Sequence, residues 1–353
     1  MLARFAAGAL ALYRAAASDY TGLGLMVMPG AIHVDGDEVL VLTWKIGKVS
    51  ISRLVESEMA FDPGLLLGNV RPETVLAIPW LSPHYIDEKG RLIISYQAFL
   101  VEAPGLKLVV DTCVGNDKTR NFPPHSGLSM SFLQLMAQAD FAREEADVVL
   151  CTHMHYDHVG WNTMLENGRW VPTFPRARYL FARSEYEHWQ KDAGSEVMGQ
   201  AQVVSDSIRP VFDAGLAVLV EMDHRVSNEI RLMPTPGHTP GHVSVVIESE
   251  GQTAIITGDA LVHPSQVAFP EWVAPHEVDP PLVVRTRRRL CDLCASGPVL
   301  LIGTHFAAPA AGHVRRDEGR YRFDGLPMET GERTTIAVRQ VWPPEVATPA
   351  GAE

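Results

Sequence analysis

With 46% hydrophobic and only 20% charged residues in 353, the chain has enough apolar side chains for a large core, which excludes a disordered polypeptide. Acidic residues outnumber basic ones by 42 to 30, and the formal charge of -12 repels nucleic-acid phosphates and anionic lipid surfaces. Nucleic acid is therefore set aside as a partner, and a small-molecule substrate is expected.

The first stretch, MLARFAAGALALYRAAAS, has a basic residue, a short apolar run and small residues, as an export signal would. Arg14, however, falls where such a signal is neutral, and the run is too short to span a bilayer. Residues 1–45 are expected to form an arm that packs on the body or on a second subunit, which would make a homodimer. No membrane span is expected, and the chain is placed in the cytoplasm, with export as the alternative.

Residues 46–325 are expected to form one α/β body. LIISYQAFLVEAPGLKLVVDT reads as two strands joined by an Ala-Pro-Gly turn, and DVVLCTH, RYLFAR, EIRLMPTPG, HVSVVIES, QTAIITGDA and PVLLIGTH repeat the apolar-run pattern. SFLQLMAQADFAREEA and LVVRTRRRLCDLCA read as helices between them. No internal repeat or long linker divides this body, and the Pro-, Thr- and Ala-rich residues 326–353 are expected to be a peripheral tail. The four cysteines, Cys113, Cys151, Cys291 and Cys294, are too scattered for a disulfide framework. CDLC lies within a helical pattern without a second CxxC, so packing is the expected role of Cys291 and Cys294.

Residues 151–161, CTHMHYDHVGW, crowd His153, His155, Asp157 and His158 into one segment. Such side chains are rarely buried without partners, and a metal is the leading candidate. Three further strands end in residues of the same kind: His238 follows IRLMP, Asp259 follows AIIT and His305 follows VLLIG. Loops at strand ends, held by a rigid sheet, are where α/β proteins build sites. His153 and His155, two apart in an extended segment, project to one side, whereas Asp157 and His158 begin a turn and aim elsewhere. One stretch can thus serve two metals.

These motifs resemble those of the metallo-β-lactamase-fold hydrolases. The HxHxDH signature (His153, His155, Asp157, His158) is followed in the family's order by PGHTPGH, TGDA and GTH. The resemblance covers about residues 46–325 and implies a four-layer αββα sandwich with the site along one edge of its two sheets. It implies that His153, His155 and His238 hold one divalent metal, that Asp157, His158 and His305 hold a second, and that Asp259 bridges them. Zn²⁺ suits imidazole and carboxylate, although Mn²⁺, Fe²⁺ and Co²⁺ accept the same donors. Asp157 and Asp259 would then serve catalysis directly. Two such ions with two aspartates and a bridging hydroxide keep a charge of about +1 towards the substrate and lower the pKa of bound water to about 7.

Within the family, N-acyl homoserine lactonases and methyl parathion hydrolase give the nearest likeness, and hydrolysis of a lactone, carboxylic ester or organophosphotriester is the expected activity. A glyoxalase II-like thioesterase is the alternative, but no basic cluster is placed for glutathione's carboxylates. An iron-dependent oxygen-chemistry enzyme would have altered ligands, and true β-lactamases generally lack the bridging aspartate. Lactonases often carry a tyrosine three residues after that aspartate, where this chain has Val262. His263 is therefore a candidate catalytic hydrogen-bond donor, the competing reading being that it fixes its loop against Pro264. His242 is expected to support the loop presenting His238, with His313 similar, and Asp111 to orient a ligand histidine. Trp80, Trp161, Phe269, Trp272 and Phe306 are candidates for an apolar cleft.

Overall fold

The computed structural model describes residues 27–34, 37–191, 199–327 and 339–342. In chain order its strands are β1 (Val27–Val34), β2 (Asp37–Ile46), β3 (Val49–Phe61), β4 (Leu92–Ala103), β5 (Leu106–Val110), β6 (Val148–Leu150), β7 (Thr163–Glu166), β8 (Arg169–Pro172) and β9 (Arg178–Ala182). They continue with β10 (Ala217–Val220), β11 (Ile230–Pro234), β12 (Val243–Ser249), β13 (Gln252–Ile256), β14 (Val299–Ile302), β15 (Ala311–Asp317), β16 (Arg320–Gly325) and β17 (Arg339–Trp342).

One sheet runs β1-β2-β3-β4-β5-β6-β9-β10, with β17 alongside β3, and a second runs β11-β12-β13-β14-β15-β16. A small hairpin, β7-β8, stands apart. Antiparallel pairing dominates the outer strands, whereas β5, β6, β9 and β10 are parallel neighbours and β13 pairs parallel with β14. Among them β6 and β14 are apolar and buried along their length, as strands covered on both faces must be. A single core passes through both sheets, from Trp44 and Phe99 through Val109 and Val149 to Val245 and Leu301. The sheets are also tied by hydrogen bonds from the β2–β3 turn: Gly47 N–H donates to Gln252 Oε1 and Lys48 N–H to Ser249 Oγ.

Two sequence expectations change at the ends of the body. Residues 27–45, assigned to a peripheral arm, instead supply β1 and most of β2, which extend the sheet outward from β3 in antiparallel register. In the expected tail, Arg339–Trp342 pairs with Glu58–Phe61 of β3. The remaining arm residues, 1–26 and 35–36, and residues 328–338 and 343–353 of the tail lie outside the described residues.

The predicted strands of the body all form, and LVVRTRRRLCDLCA lies in the helix Pro280–Ala295, whose first turn is capped by the Asp279 carboxylate accepting from Leu282 N–H. Both CDLC cysteines are free and buried on this helix, which agrees with a packing role. The other predicted helix is shorter than expected. It spans only Phe132–Gln138, because Asp140 adopts φ 56 and ends it; a separate 3₁₀ turn follows at Arg143–Glu145. Among the described residues no helix is long and apolar enough to cross a membrane.

Candidate metal centre

The loop after β6 is fixed before it reaches its first histidine. Asp111, at the end of β5, accepts from Thr152 N–H and from Thr152 Oγ–H. Thr152 Oγ is left to accept from His153 Nδ1–H, 3.1 Å away, and this turns His153 Nε2 towards the site. Asp111 also accepts from His158 Nδ1–H at 2.9 Å, so one buried carboxylate orients two imidazoles, extending its expected role. His158 and Asp157 sit on the short helix Tyr156–Val159. Directly after it, Gly160 lies so close to β5's outgoing loop that a Cβ would stand 1.9 Å from the Val114 carbonyl oxygen.

The second sheet supplies the other three side chains. His238 follows β11 and its Nδ1 donates to Glu277 at 2.9 Å, while Glu277 is also paired with the buried Arg287. Asp259 follows β13, and its backbone N–H donates to His242 Nε2 at 2.8 Å. His242 must therefore carry its proton on Nδ1, which donates to Thr235 Oγ; that hydroxyl passes to Ser244, and Ser244 Oγ–H donates to the Thr257 carbonyl. His242 thus secures the aspartate's turn rather than acting as a seventh ligand. Gly258, at φ +54, is needed here because any Cβ would lie 2.5 Å from His242 Nε2. His305 follows β14, and its Nδ1 donates to the Ser95 carbonyl of β4 at 2.8 Å.

With their outer nitrogens engaged in this way, the inner nitrogens converge. His153 Nε2 and His238 Nε2 each lie 3.0 Å from His155 Nδ1, and His158 Nε2 lies 3.1 Å from His305 Nε2. Asp259 lies between the two sets. Its Oδ2 is 3.4 Å from His238 Nε2 and 3.8 Å from His153 Nε2, whereas its Oδ1 is 3.2 Å from His158 Nε2 and 3.1 Å from His305 Nε2. Asp157 joins the second set, 3.5 Å from His305 Nε2. Two groups able to hold a metal ion result: His153, His155, His238 and Asp259, and Asp157, His158 and His305. Neutral imidazoles cannot all satisfy one another across such close nitrogen pairs, and Asp259 Oδ1 is buried without a hydrogen bond. A cation at each convergence point would satisfy both sets of lone pairs.

The electrostatics divide the cluster. Burial holds His153 and His155 well below the usual histidine range, leaving them neutral. At His158 burial acts in the same direction, but Asp259, Asp111 and Asp157 outweigh it and push the imidazole upward. Asp259 is held well below the usual carboxylate range: burial opposes ionisation, but His158 and His305 overcome it.

Several supports were not identified from the sequence. Glu277 is one; Glu185 is another, accepting from Met154 N–H, Gly241 N–H and Trp189 Nε1–H, and so pinning the HxHxDH loop to the GHTPGH loop. Under the Asp157 helix, Glu56 accepts from Val114 N–H, Gly115 N–H and Trp161 Nε1–H. Burial nevertheless pushes Glu56 up to about 7 against the pull of those donors. Each is a single acidic residue remote in sequence from the motif it holds, so no local pattern marks it.

The structure corrects the expectation for His263. Its ring is fully buried, Nε2–H donates to the Tyr85 carbonyl at 2.9 Å, and Nδ1 is 2.8 Å from Ser265 Oγ. Burial lowers it to about 4, so it is a neutral ring with both nitrogens committed to its own loop and to the 78–86 segment. It fixes that loop and has no N–H left for a substrate. His313 is also remote from the cluster, its Nδ1 donating to Val299 O between strands. Two expected cleft aromatics belong to the core instead. Trp161 stacks on Phe132 at 5.3 Å, and Phe306 is buried edge-on against Phe323. Phe269 and Trp272 stack on each other at 4.2 Å, and Trp80 is a partly buried flank of the core.

Comparison with known proteins identifies the family and the fold. N-acyl homoserine lactonase from Bacillus thuringiensis is 23% identical over 173 residues, which cover 48% of this chain and 60% of the relative. The chain thus spans well under two thirds of the length of the curated relatives it matches. Among solved structures, the hydrolase AbOPH of the beta-lactamase superfamily superposes with a TM-score of 0.69 at 22% identity, covering 82% of this chain and 98% of that one. AidC, a dizinc quorum-quenching lactonase, superposes with a TM-score of 0.66 at 14% identity, covering 86% and 99%. The Metallo-beta-lactamase superfamily profile matches residues 95–305, a span that begins at the strand receiving His305 and ends on His305 itself. The chain belongs to the metallo-beta-lactamase superfamily and has its α/β fold.

Proposed function

We propose that the protein is a dinuclear metal-dependent hydrolase of a lactone or carboxylic ester. The observation that carries the proposal is the placement of Asp259, whose two oxygens face two separate sets of imidazoles. In this reading His153, His155 and His238 hold one ion, Asp157, His158 and His305 hold the other, and Asp259 serves both. Zn²⁺ is the first choice for such nitrogen-rich donors. What the ions would supply is a water that ionises near neutral pH and a positive field where negative charge develops on the substrate. The residues' own part is to fix donor direction through Asp111, Glu277 and the Ser95 carbonyl, and to hold the two histidine loops together through Glu185. The lactonase names among the relatives support the ester class, and phosphotriesters remain the second substrate class because the same site would receive a phosphoryl oxygen.

The test is to load the purified protein with Zn²⁺ or Mn²⁺ and assay an N-acyl lactone, an aryl ester, a phosphotriester and a thioester, with metal content measured in parallel. Lactone or ester turnover that disappears on chelation and returns with metal is expected. Turnover confined to the thioester, or turnover that survives complete metal removal, would overturn the proposal.

A further inference from the structure

With His263 committed to its loop, one hydroxyl beside the cluster has no assigned work. Tyr96 lies on β4, directly after Ser95, whose carbonyl holds His305. Its ring meets the His305 ring edge-on at 5.3 Å and the His125 ring at 4.3 Å. The residue is 6% exposed, and among the described residues its hydroxyl has no hydrogen-bond partner. Asp157 and Asp259 both act on it electrostatically, which places the phenol within the field of the metal site.

The wall behind Tyr96 is built to hold its ring. His125 Nδ1 is 3.0 Å from Tyr156 Oη, and the Arg120 guanidinium, itself paired with Asp206, lies 6.0 Å from the Tyr156 ring. On the other side of His125, Phe122 packs edge-on at 4.9 Å and Phe61 lies against Phe122. Of the two hydroxyls in this aromatic wall, Tyr156 Oη is engaged by His125 and that of Tyr96 is not.

We infer that Tyr96 donates a hydrogen bond to the leaving oxygen of the substrate, and that the site is suited to lactones and alkyl esters, whose alkoxides are poor leaving groups. The inference rests on the hydrolase reading above. In that reaction water adds through oxygen to the acyl carbon and the C=O π pair moves to the carbonyl oxygen. Collapse restores C=O and breaks the C–O bond to the alkoxide, which takes up the proton that water gave up; ester and water become acid and alcohol. Tyr96 keeps its own proton and stabilises the alkoxide while its bond breaks. An aryl oxide, already stable in water, gains much less from the same contact.

The experiment uses the metal-loaded protein and Tyr96→Phe, which keeps the ring. The variant should retain metal content and melting temperature, while kcat on an N-acyl lactone falls about 10²-fold. On a 4-nitrophenyl ester the fall should be less than about 5-fold, because phenoxide needs little help. Binding of hexylphosphonate monomethyl ester, an anionic mimic of the tetrahedral species, is followed by calorimetry as a readout independent of turnover and should weaken about 10-fold or more. Equal losses on both substrates, or an unchanged lactone rate, would overturn the role of Tyr96. So would phosphonate binding that is absent in the parent protein or identical in the two. A parent protein that binds the phosphonate but hydrolyses none of the four substrate classes would sink the hydrolase reading separately.

Discussion

Replacing Glu277 tests whether a residue without sequence signature sustains the metal centre. Its carboxylate is buried, receives His238 Nδ1–H and pairs with Arg287, which also donates to the Ala260 and Trp272 carbonyls. Burial alone would raise its pKa, yet Arg287 and then His238 hold it down from an ordinary 4.5 to about 2. Because the folded value is depressed, the stabilisation is present at neutral pH and is lost as pH falls from about 4.5 through about 2; the drop corresponds to about 3 kcal/mol. That agrees with the roughly 3–5 kcal/mol expected for breaking a buried pair. Glu277→Ala should therefore lower the melting temperature by about 5–10 °C. It should also weaken metal binding about 10–100-fold, because His238 loses the acceptor that sets its tautomer. Glu277→Gln, which keeps one acceptor oxygen, should lie between. The affinity is read by competition against a fluorescent chelator, with Glu248→Gln, on the exposed pair with Arg231, as the control worth less than about 1 kcal/mol. A Glu277→Ala protein that melts early but binds metal as the parent does would show that the residue serves only Arg287, and the reasoning about His238 would fail.

Asp259→Ala should reduce bound metal from about two ions per chain to about one or fewer and abolish most activity, since both of its oxygens face ligand sets; elemental analysis of a folded variant with two ions would contradict the bridging assignment. Glu56 gives the opposite pH behaviour to Glu277: its folded pKa is raised, so the native state binds the proton more tightly and stability declines by about 3 kcal/mol as pH rises from 4.5 to about 7. Glu56→Gln should remove that slope from urea midpoints measured across the window, and a parallel slope in both proteins would refute it. His263→Ala should cost about 2–4 kcal/mol through the vacated volume and the unpaired Tyr85 carbonyl, while turnover per metal-loaded site stays within about 3-fold; a large rate loss at unchanged melting temperature would restore the donor role.

The cluster of candidate metal donors was legible because four of its members are neighbours in sequence and the other three each follow a strongly apolar strand. Such strands announce their ends, and ends are where the donors sit. The same logic failed for His263, because closeness to Asp259 along the chain does not tell which way a ring turns; here it turns to the Tyr85 carbonyl. β3 escaped notice for a different reason. Arg53, Glu56 and Glu58 are buried within VSISRLVESEMAF and interrupt the apolar pattern, Arg53 donating to Glu58, Gln97 and Ser95 and Glu56 accepting from Val114, Gly115 and Trp161. β1 was obscured by its glycine and proline, and it acquires its strand character from pairing with β2. Glu277 stands 39 residues from the histidine it orients, and only the fold closes that distance.

His153, His155, Asp157 and His158 descend from the first sheet, whereas His238, Asp259 and His305 descend from the second, so neither half of the chain owns a complete ligand set. The chain crosses between these sheets at the turn linking β10 to β11, around His224 and Val226, where few side chains are buried, and returns to the first sheet with β17 beside β3. Cleaved there, the protein would become two fragments that share an apolar core, the β17–β3 pairing and the proposed ligand sets, so a bound divalent cation would add to their affinity and a chelator would weaken it. On the proposed dinuclear reading, a split-reporter fusion at that turn would sense free divalent metal.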